Sequence, residues 1–363
     1  SRNWTEVRQF NLMFNTQLGN IAGEEGKLYL RPETAQGIFV NFLNVQKTTR
    51  QKIPFGIAQV GKAFRNEIVA RQFIFRMREF EQMEMQFFVE PGTDMEWFER
   101  WKAARLEWHL GLGLSRDRLE FHQHEANELA HYARAAFDIN FDFGGSLGFQ
   151  EIEGVHNRSD FDLKQHQEFS GKRLEYVDQA ANKRYLPYVI ETSVGADRVT
   201  LATLVNALRE EVVPGETEGR TLLALHPAIA PIKAGVFPLT KKDGQPEMAQ
   251  KLAASLRKQF PVFYDEAGAI GRRYRRQDEA GTPFCVTIDF DTLGEKPELL
   301  NTVTIHEDFE AWGQINFHVH ACFCRETNEA LACFCHHFIP RQPRADEWKF
   351  SCLDFCEIKE VVD

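Results

Sequence analysis

Cysteine is missing from the first 284 residues, and six of the seven cysteines, Cys322, Cys324, Cys333, Cys335, Cys352 and Cys356, come after residue 320. The main body therefore rests on neither disulfides nor a cysteine-ligated metal. No run of about 18 apolar residues occurs, which excludes a hydrophobic transmembrane helix. An internal repeat is also lacking, as is a charged-then-apolar leader. The first residue is Ser1, not Met, so the start reads as a cut end and a soluble, cytoplasmic enzyme is expected. There is no basic surplus either: 43 Lys and Arg face 53 Asp and Glu, for a net charge of −10. That excludes a protein coated in positive charge, but not one that meets a polyanion through a local patch.

What is present fills two or three domains, given 363 residues and 43% hydrophobic content. Residues 55–64 and 79–88 read as strands, joined by an arginine-rich loop over 65–78, which predicts an antiparallel hairpin. Periodicity predicts helices over 95–110, 125–137 and 198–213 and a strand over 184–195. Pro214, Gly215 and Gly219 mark a linker. Beyond it, strand-like 232–238, helical 248–260, strand-like 262–264, a basic helix near 270–278 and strand-like 284–290 read as a small α/β domain. The last 59 residues fit neither pattern.

The loop carries Arg65, Arg71, Arg76 and Arg78, whose guanidinium forks suit a polyphosphate clamp; a solvated charged loop is the alternative that composition leaves open. Along the strand that follows, Phe80, Gln82, Glu84 and Gln86 share one face and Met83, Met85 and Phe87 the other. The strand ending in Glu191, Ser193 and Gly195 has the same polar face, and Asp197 and Arg198 follow at a strand-to-helix junction. Glu33 adds a carboxylate beside Pro32. Several carboxylates without a cysteine or histidine cluster point to an ammonium or magnesium site rather than zinc.

Phe64-Arg65-Asn66-Glu67 resembles motif 2 of the class II aminoacyl-tRNA synthetases, and Gly195-Ala196-Asp197-Arg198 resembles their motif 3. The longer strings LRPETAQGIFV (30–40), GKAFRNE (61–67), FIFRMREFEQME (73–84), SDFDL (159–163) and YVIETSVGADR (188–198) are similar to the glycyl-tRNA synthetases in particular, in that family's order from about residue 4 to about residue 304. The resemblance implies a class II catalytic core over 1–220, an α+β antiparallel sheet flanked by helices, and an α/β anticodon-binding domain over 221–304. An atypical Cys/His/Phe-rich tail remains over 305–363, and motif 1 is expected ahead of Ser1.

The same resemblance implies site roles. Arg65 contacts the ATP α-phosphate, Arg198 the γ-phosphate end, and these two are the catalytic pair. Asn66, Glu67, Phe75, Arg76, Met77, Arg78, Glu79, Phe80, Glu151, Ile152, Gly195, Ala196 and Asp197 complete the ATP site, with Phe80 under the adenine. Glu33, Glu84, Glu191 and Ser193 hold glycine; Arg158 is a substrate-side arginine; and Phe80, Glu81, Gln82, Met83, Thr192, Val194 and Gly195 complete that pocket. ATP with Mg2+, glycine and tRNA(Gly) are the implied substrates and partners, in a homodimer when the protein is full length. Arg272, Arg273, Tyr274, Arg275 and Arg276 are candidates for tRNA contact, by phosphate pairing and base stacking; a solvent-facing helix is the plainer reading of that run.

Three motifs fall short. GIAQVGKA (56–63) lacks the hydroxyl residue that ends a phosphate loop. His124-Glu125 has no histidine at 128, so the zinc-protease pattern fails. The tail cysteines do not have the spacing of zinc sites, and no metal ligand is assigned. Two other readings compete: a class II synthetase for another amino acid, and a non-catalytic binding module derived from a synthetase.

Overall fold

In the computed structural model, which describes residues 10–19, 26–211, 219–293 and 303–305, the alternation along 55–64 and 79–89 becomes a pair of long strands. The chain divides into two compact units, Ser1–Val205 and Asn206–Asp363. The first opens with β1 (Asn15–Gln17), β2 (Lys27–Tyr29) and α1 (Ala35–Thr49), then β3 (Phe55–Phe64), β4 (Glu79–Val89) and α2 (Asp94–Gly111). Next come β5 (Leu119–Gln123), β6 (Ala135–Asp142), β7 (Phe149–Ser159), α3 (Phe161–Ser170), β8 (Tyr176–Asp178), β9 (Lys183–Tyr185), β10 (Tyr188–Gly195) and α4 (Ala196–Ala207).

Six of these strands form one antiparallel sheet in the order β3-β4-β10-β7-β6-β5. Its two faces bury different things. On the α2 side, Ile139, Phe141, Val155, Ile190 and Val194 pack with Phe98. On the other, Phe88 and Val189 pack beneath α1 through Ile38, Phe39 and Phe42, the spacing of one helix stripe. Phe88 and Phe42 have ring centroids 4.4 Å apart. Followed along this second face, β4 changes from Phe88 to buried Gln86, Glu84 and Gln82, and β10 from Val189 to Glu191 and Ser193. The hydrophobic core thus runs directly into a polar floor.

Three expectations are corrected. Residues 125–134 form turns, not a helix, because 135–142 follows period two: Phe137, Ile139 and Phe141 all join the core. The stretch 184–195 is two strands, β9 and β10. The helix expected over 198–213 stops at Ala207, where β11 (Leu208–Glu211) pairs with β12 (Arg220–Leu223); pairing across the chain overrides local helix preference. GIAQVGKA lies in β3, an edge strand and not a phosphate loop.

The second unit continues with β13 (Ala234–Pro238), α5 (Gln245–Leu256), β14 (Val262–Tyr264), α6 (Ile270–Ala280), β15 (Phe284–Ile288), α7 (Phe290–Leu293) and β16 (Val303–Ile305). Its sheet runs β14-β13-β15-β16, parallel except for the last pair. Val236, Val286 and Ile288 meet Ala249, Ala253 and Leu256 of α5 in its core. The tail cysteines lie outside the described residues, as do Pro214 and Gly215. No described helix is long and apolar enough to cross a membrane.

Candidate active site

Register explains why distant residues meet. Opposite residues of antiparallel strands share a face, so Glu84 on β4 stands beside Ser193 on β10 and then Gly154 on β7; the next row is Gln86, Glu191 and His156. One cleft over these rows is lined by Glu33, Glu84, Glu191 and Ser193, and also by Arg65, Phe80 and Arg198. Glu67, Phe75, Arg76, Met77, Glu81, Gln82, Glu151, Arg158, Gly195 and Asp197 complete the expected residues that line it.

At the buried end, Arg158 is 2% exposed. Its fork donates to both oxygens of Asp162 at 2.7 and 2.9 Å and to Glu191 Oε2 at 2.9 Å, and Glu33 lies 4.0 Å away. Gln86 Nε2 donates to Glu191 Oε2 at 2.6 Å, and His156 Nδ1 is 3.1 Å from Glu191 Oε1. Burial opposes charge on Glu191, but Arg158 and then His156 outweigh it and hold the carboxyl well below the usual carboxylate range. Glu84 differs: burial, then the charge of Glu191, push its carboxyl up to about 9. Thr34, at the N-terminus of α1, does not cap its own helix through its side chain. Its N–H donates to Glu84 Oε2 at 3.1 Å and its hydroxyl donates to the same oxygen.

The open end is built from arginines. Arg65 donates from Nε to the Pro32 carbonyl at 3.2 Å, and its guanidinium stands 5.2 Å from the Phe80 ring centre. Arg198 donates to the carbonyls of Glu151 at 2.7 Å and Phe75 at 3.0 Å. A Cβ on Gly195 would come within 3.2 Å of the Arg198 side chain, so the glycine lets that chain lie close to the strand end. Asp197 accepts from the Glu81 N–H at 3.3 Å and ties α4 to β4.

Several expected residues are turned elsewhere. Met83 and Val194 face the α2-side core, and Thr192 alternates with Glu191 and Ser193 to the same side. Ile152 joins that core because the β6–β7 register shifts at Ile139/Asn140, leaving Glu151 facing the cleft. Asn66 donates to the Asn11 carbonyl at 3.0 Å, Arg78 to the carbonyls of Glu67 and Ile68, and Glu79 pairs with Lys62. Ala196 opens α4 and does not line the cleft.

On α6, Arg273 points inward, 3% exposed, and donates to the carbonyls of Pro238 and Gly268. Tyr274 places its hydroxyl 2.7 Å from Thr287 Oγ1 and its ring edge-on to Phe237. Arg273 is therefore withdrawn as a surface contact, while Tyr274 is half-buried with its hydroxyl turned into the unit. Arg272 is exposed; Arg275 pairs with Glu279 and Arg276 with Asp265.

Ile74, Tyr132, Gly154 and His156 line the cleft and were not read from sequence. Period two counted back from Arg158 reaches His156 and Gly154; Tyr132 has no such signal, and its ring meets Arg158 at 4.0 Å only through the fold. A Cβ on Gly154 would stand 2.6 Å from His156 Cε1. Burial disfavours the His156 imidazolium, but its hydrogen bond to Glu191 and that group's charge raise its pKa overall. Gly154→Ala is therefore expected to swing the ring off Glu191 and lower its titration midpoint toward that of a free imidazole, about 6.5, as read from the His156 ring-proton NMR shift.

Residues 18–207 match the tRNA synthetase class II core domain (G, H, P, S and T), and residues 233–307 match the anticodon binding domain. A glycine–tRNA ligase of Chlorobaculum tepidum is 55% identical over 87% of the chain, which spans 65% of that relative. For those of Caldanaerobacter subterraneus and Borrelia hermsii the identities are 56% and 53%, over 80% and 84% of the chain and 62% and 68% of the relatives. A prolyl-tRNA synthetase of Cryptosporidium parvum, solved with L-proline and AMP, shares the fold: TM-score 0.55 and 13% identity, over 77% of this chain and 57% of that one.

Proposed function

Because the chain belongs to the glycine–tRNA ligases, with a class II tRNA synthetase core ahead of an anticodon-binding domain, we propose that the whole protein activates glycine with ATP and transfers it to the 3′ end of tRNA(Gly). One observation carries this reading: the carboxylates Glu33, Glu84 and Glu191 and the arginines Arg65 and Arg198 line a single cleft. A cationic amino group and a polyphosphate fit its two ends.

In the first step, a glycine carboxylate oxygen attacks the α-phosphorus and pyrophosphate leaves. Glu33, Glu84 and Glu191 hold the ammonium and so fix the opposite end of a molecule with no side chain to grip. Arg65 stabilises the charge that builds on the α-phosphate, and Arg198, held by two backbone carbonyls, receives the departing end. Phe80 supports the adenine. In the second step, a ribose hydroxyl of the tRNA terminus attacks the glycyl carbonyl and AMP leaves. No enzyme nucleophile is required, so catalysis is positioning and charge stabilisation.

Among the described residues, no cluster of metal-ligating side chains could hold an ion alone, but Glu67 and Glu151 supply cleft oxygens that suit a hard cation arriving on ATP. Magnesium would neutralise phosphate charge there. We assign the core to 1–220 and tRNA reading to 221–304, in a cytoplasmic homodimer when the protein is complete.

Amino-acid-dependent pyrophosphate exchange tests the reading. Glycine is expected to exceed alanine and serine by about 100-fold or more in kcat/KM, since a cramped pocket excludes bulk better than it rewards contact. Preference for histidine, threonine or proline would overturn it.

A further inference from the structure

Glu84 is a buried carboxyl, 4% exposed. Among the described residues its hydrogen-bond donors are neutral: the Thr34 N–H, the Thr34 hydroxyl and the Gln86 amide at 3.4 Å. The nearby cations belong to Glu191, which takes Arg158 at 2.9 Å and His156 at 3.1 Å. Gln86 Nε2 stands between the two acids, donating to Glu191 Oε2 at 2.6 Å and to Glu84 Oε1 at 3.4 Å, so the carboxyls are neighbours that share one neutral donor.

The remaining groups make a second charge costlier. Glu33 approaches from the segment before α1, and Asp162 from α3, already held in the Arg158 fork. Tyr132, from the β5–β6 connection, adds only a neutral phenol over Arg158. With Glu84 ionised, four carboxylates (Glu33, Glu84, Asp162, Glu191) would gather at the buried end around Arg158 and His156, while Arg65, Arg76 and Arg198 line the rest of the cleft. An unpaired buried charge is avoided by taking up a proton.

We propose that glycine enters by exchange: Glu84 carries a proton before binding and gives it to solvent as the glycine ammonium becomes its cation. The proposal rests on the glycine-activating reading. The Glu84 O–H bond breaks, the proton leaves to buffer, and the ammonium keeps its three hydrogens and donates to the new carboxylate. A carboxyl held up to about 9 is the matching electrostatic state. The sign follows from linkage: protons compete with glycine, so affinity rises with pH while Glu84 is protonated, by about tenfold per unit for one proton.

The whole protein is titrated with glycine by calorimetry in buffers of different ionisation heat, from about pH 6 to about pH 8. About one proton released per glycine is expected. Glu84→Gln, a neutral isostere, is expected to release none, to bind about 10- to 100-fold more weakly at the upper end, and to show a flat pH profile. Glycine binding without proton release in the wild type would overturn the exchange and leave the glycine reading standing. Failure to bind glycine, with no glycine-dependent exchange, would remove both. Release that persists in Glu84→Gln and disappears in His156→Asn would move the proton to His156 and overturn the assignment to Glu84. If Glu84→Gln does not fold, His156→Asn decides: release retained there keeps the proton on Glu84, and release lost overturns the assignment.

Discussion

Arg65→Ala is expected to lower glycine-dependent pyrophosphate exchange by about 10²- to 10³-fold in kcat, the usual cost of removing one preorganised donor from a developing charge. The side chain is placed for this work before ATP arrives. Its Nε donates to the Pro32 carbonyl, and its guanidinium is 5.2 Å from the Phe80 ring centre. The first contact fixes the stem and the second aims the fork. At the loop base, the Arg65 N–H donates to the Arg78 carbonyl at 3.0 Å, so the motif starts from an ordered strand end. Because Arg65 is outside the buried ion network, the variant should keep the wild-type melting temperature while losing rate. Arg65→Lys should recover only part of the loss, since an ammonium cannot make the bidentate contact. Unchanged kcat in the folded variant would remove Arg65 from the catalytic role, and ATP affinity unchanged in a protein without exchange activity would favour a binding module over an enzyme.

The parts of this site that could be read from sequence are those governed by strand parity. Phe80, Gln82, Glu84 and Gln86 alternate on β4, Glu191, Ser193 and Gly195 on β10, and the register then places the two rows side by side. Parity fails where a strand is irregular. Counted by twos from His156 and Gly154, Ile152 should face the cleft; the register shift in β7 turns it into the core beside Val155 and leaves Glu151 in the cleft. It also fails where a charge is structural: Arg273 sits in an arginine run that reads as surface, yet backbone carbonyls of Pro238 and Gly268 satisfy it inside the second unit. The segment 125–137 misled for a third reason, because a strand beginning at Ala135 takes its apolar residues from the end of a stretch that had helix-like spacing. Tyr132 belongs to the site only by packing, and packing leaves no periodic trace.

Arg158→Ala is expected to cost about 3–5 kcal/mol of stability, the price of breaking a buried ion pair and leaving its partners charged. In a unit of this size that is a fall of about 10 °C in melting temperature. The guanidinium joins Asp162 on α3 to Glu191 on β10 while lying 4.0 Å from the Tyr132 ring centre, so its loss affects helix, strand and loop together. The pH dependence separates this from a simple cavity. Without Arg158, the Glu191 carboxyl loses the first of the partners that hold it below the usual range, so its pKa rises. A group whose folded pKa is depressed contributes stability above its unfolded value, about 4.3 for glutamate, and loses it as pH falls through the folded pKa. The wild type thus retains that stability at near-neutral pH, and the variant lacks it. The melting-temperature gap should therefore be widest near pH 7.5 and narrow by about half toward pH 4.5 as the orphaned carboxyls take up protons. A gap independent of pH would mean that Arg158 acts through its packing on Tyr132 and Phe39 rather than through its charge. Arg158→Lys should rescue little of the loss, because one ammonium cannot bridge Asp162 with two bonds and still reach Glu191.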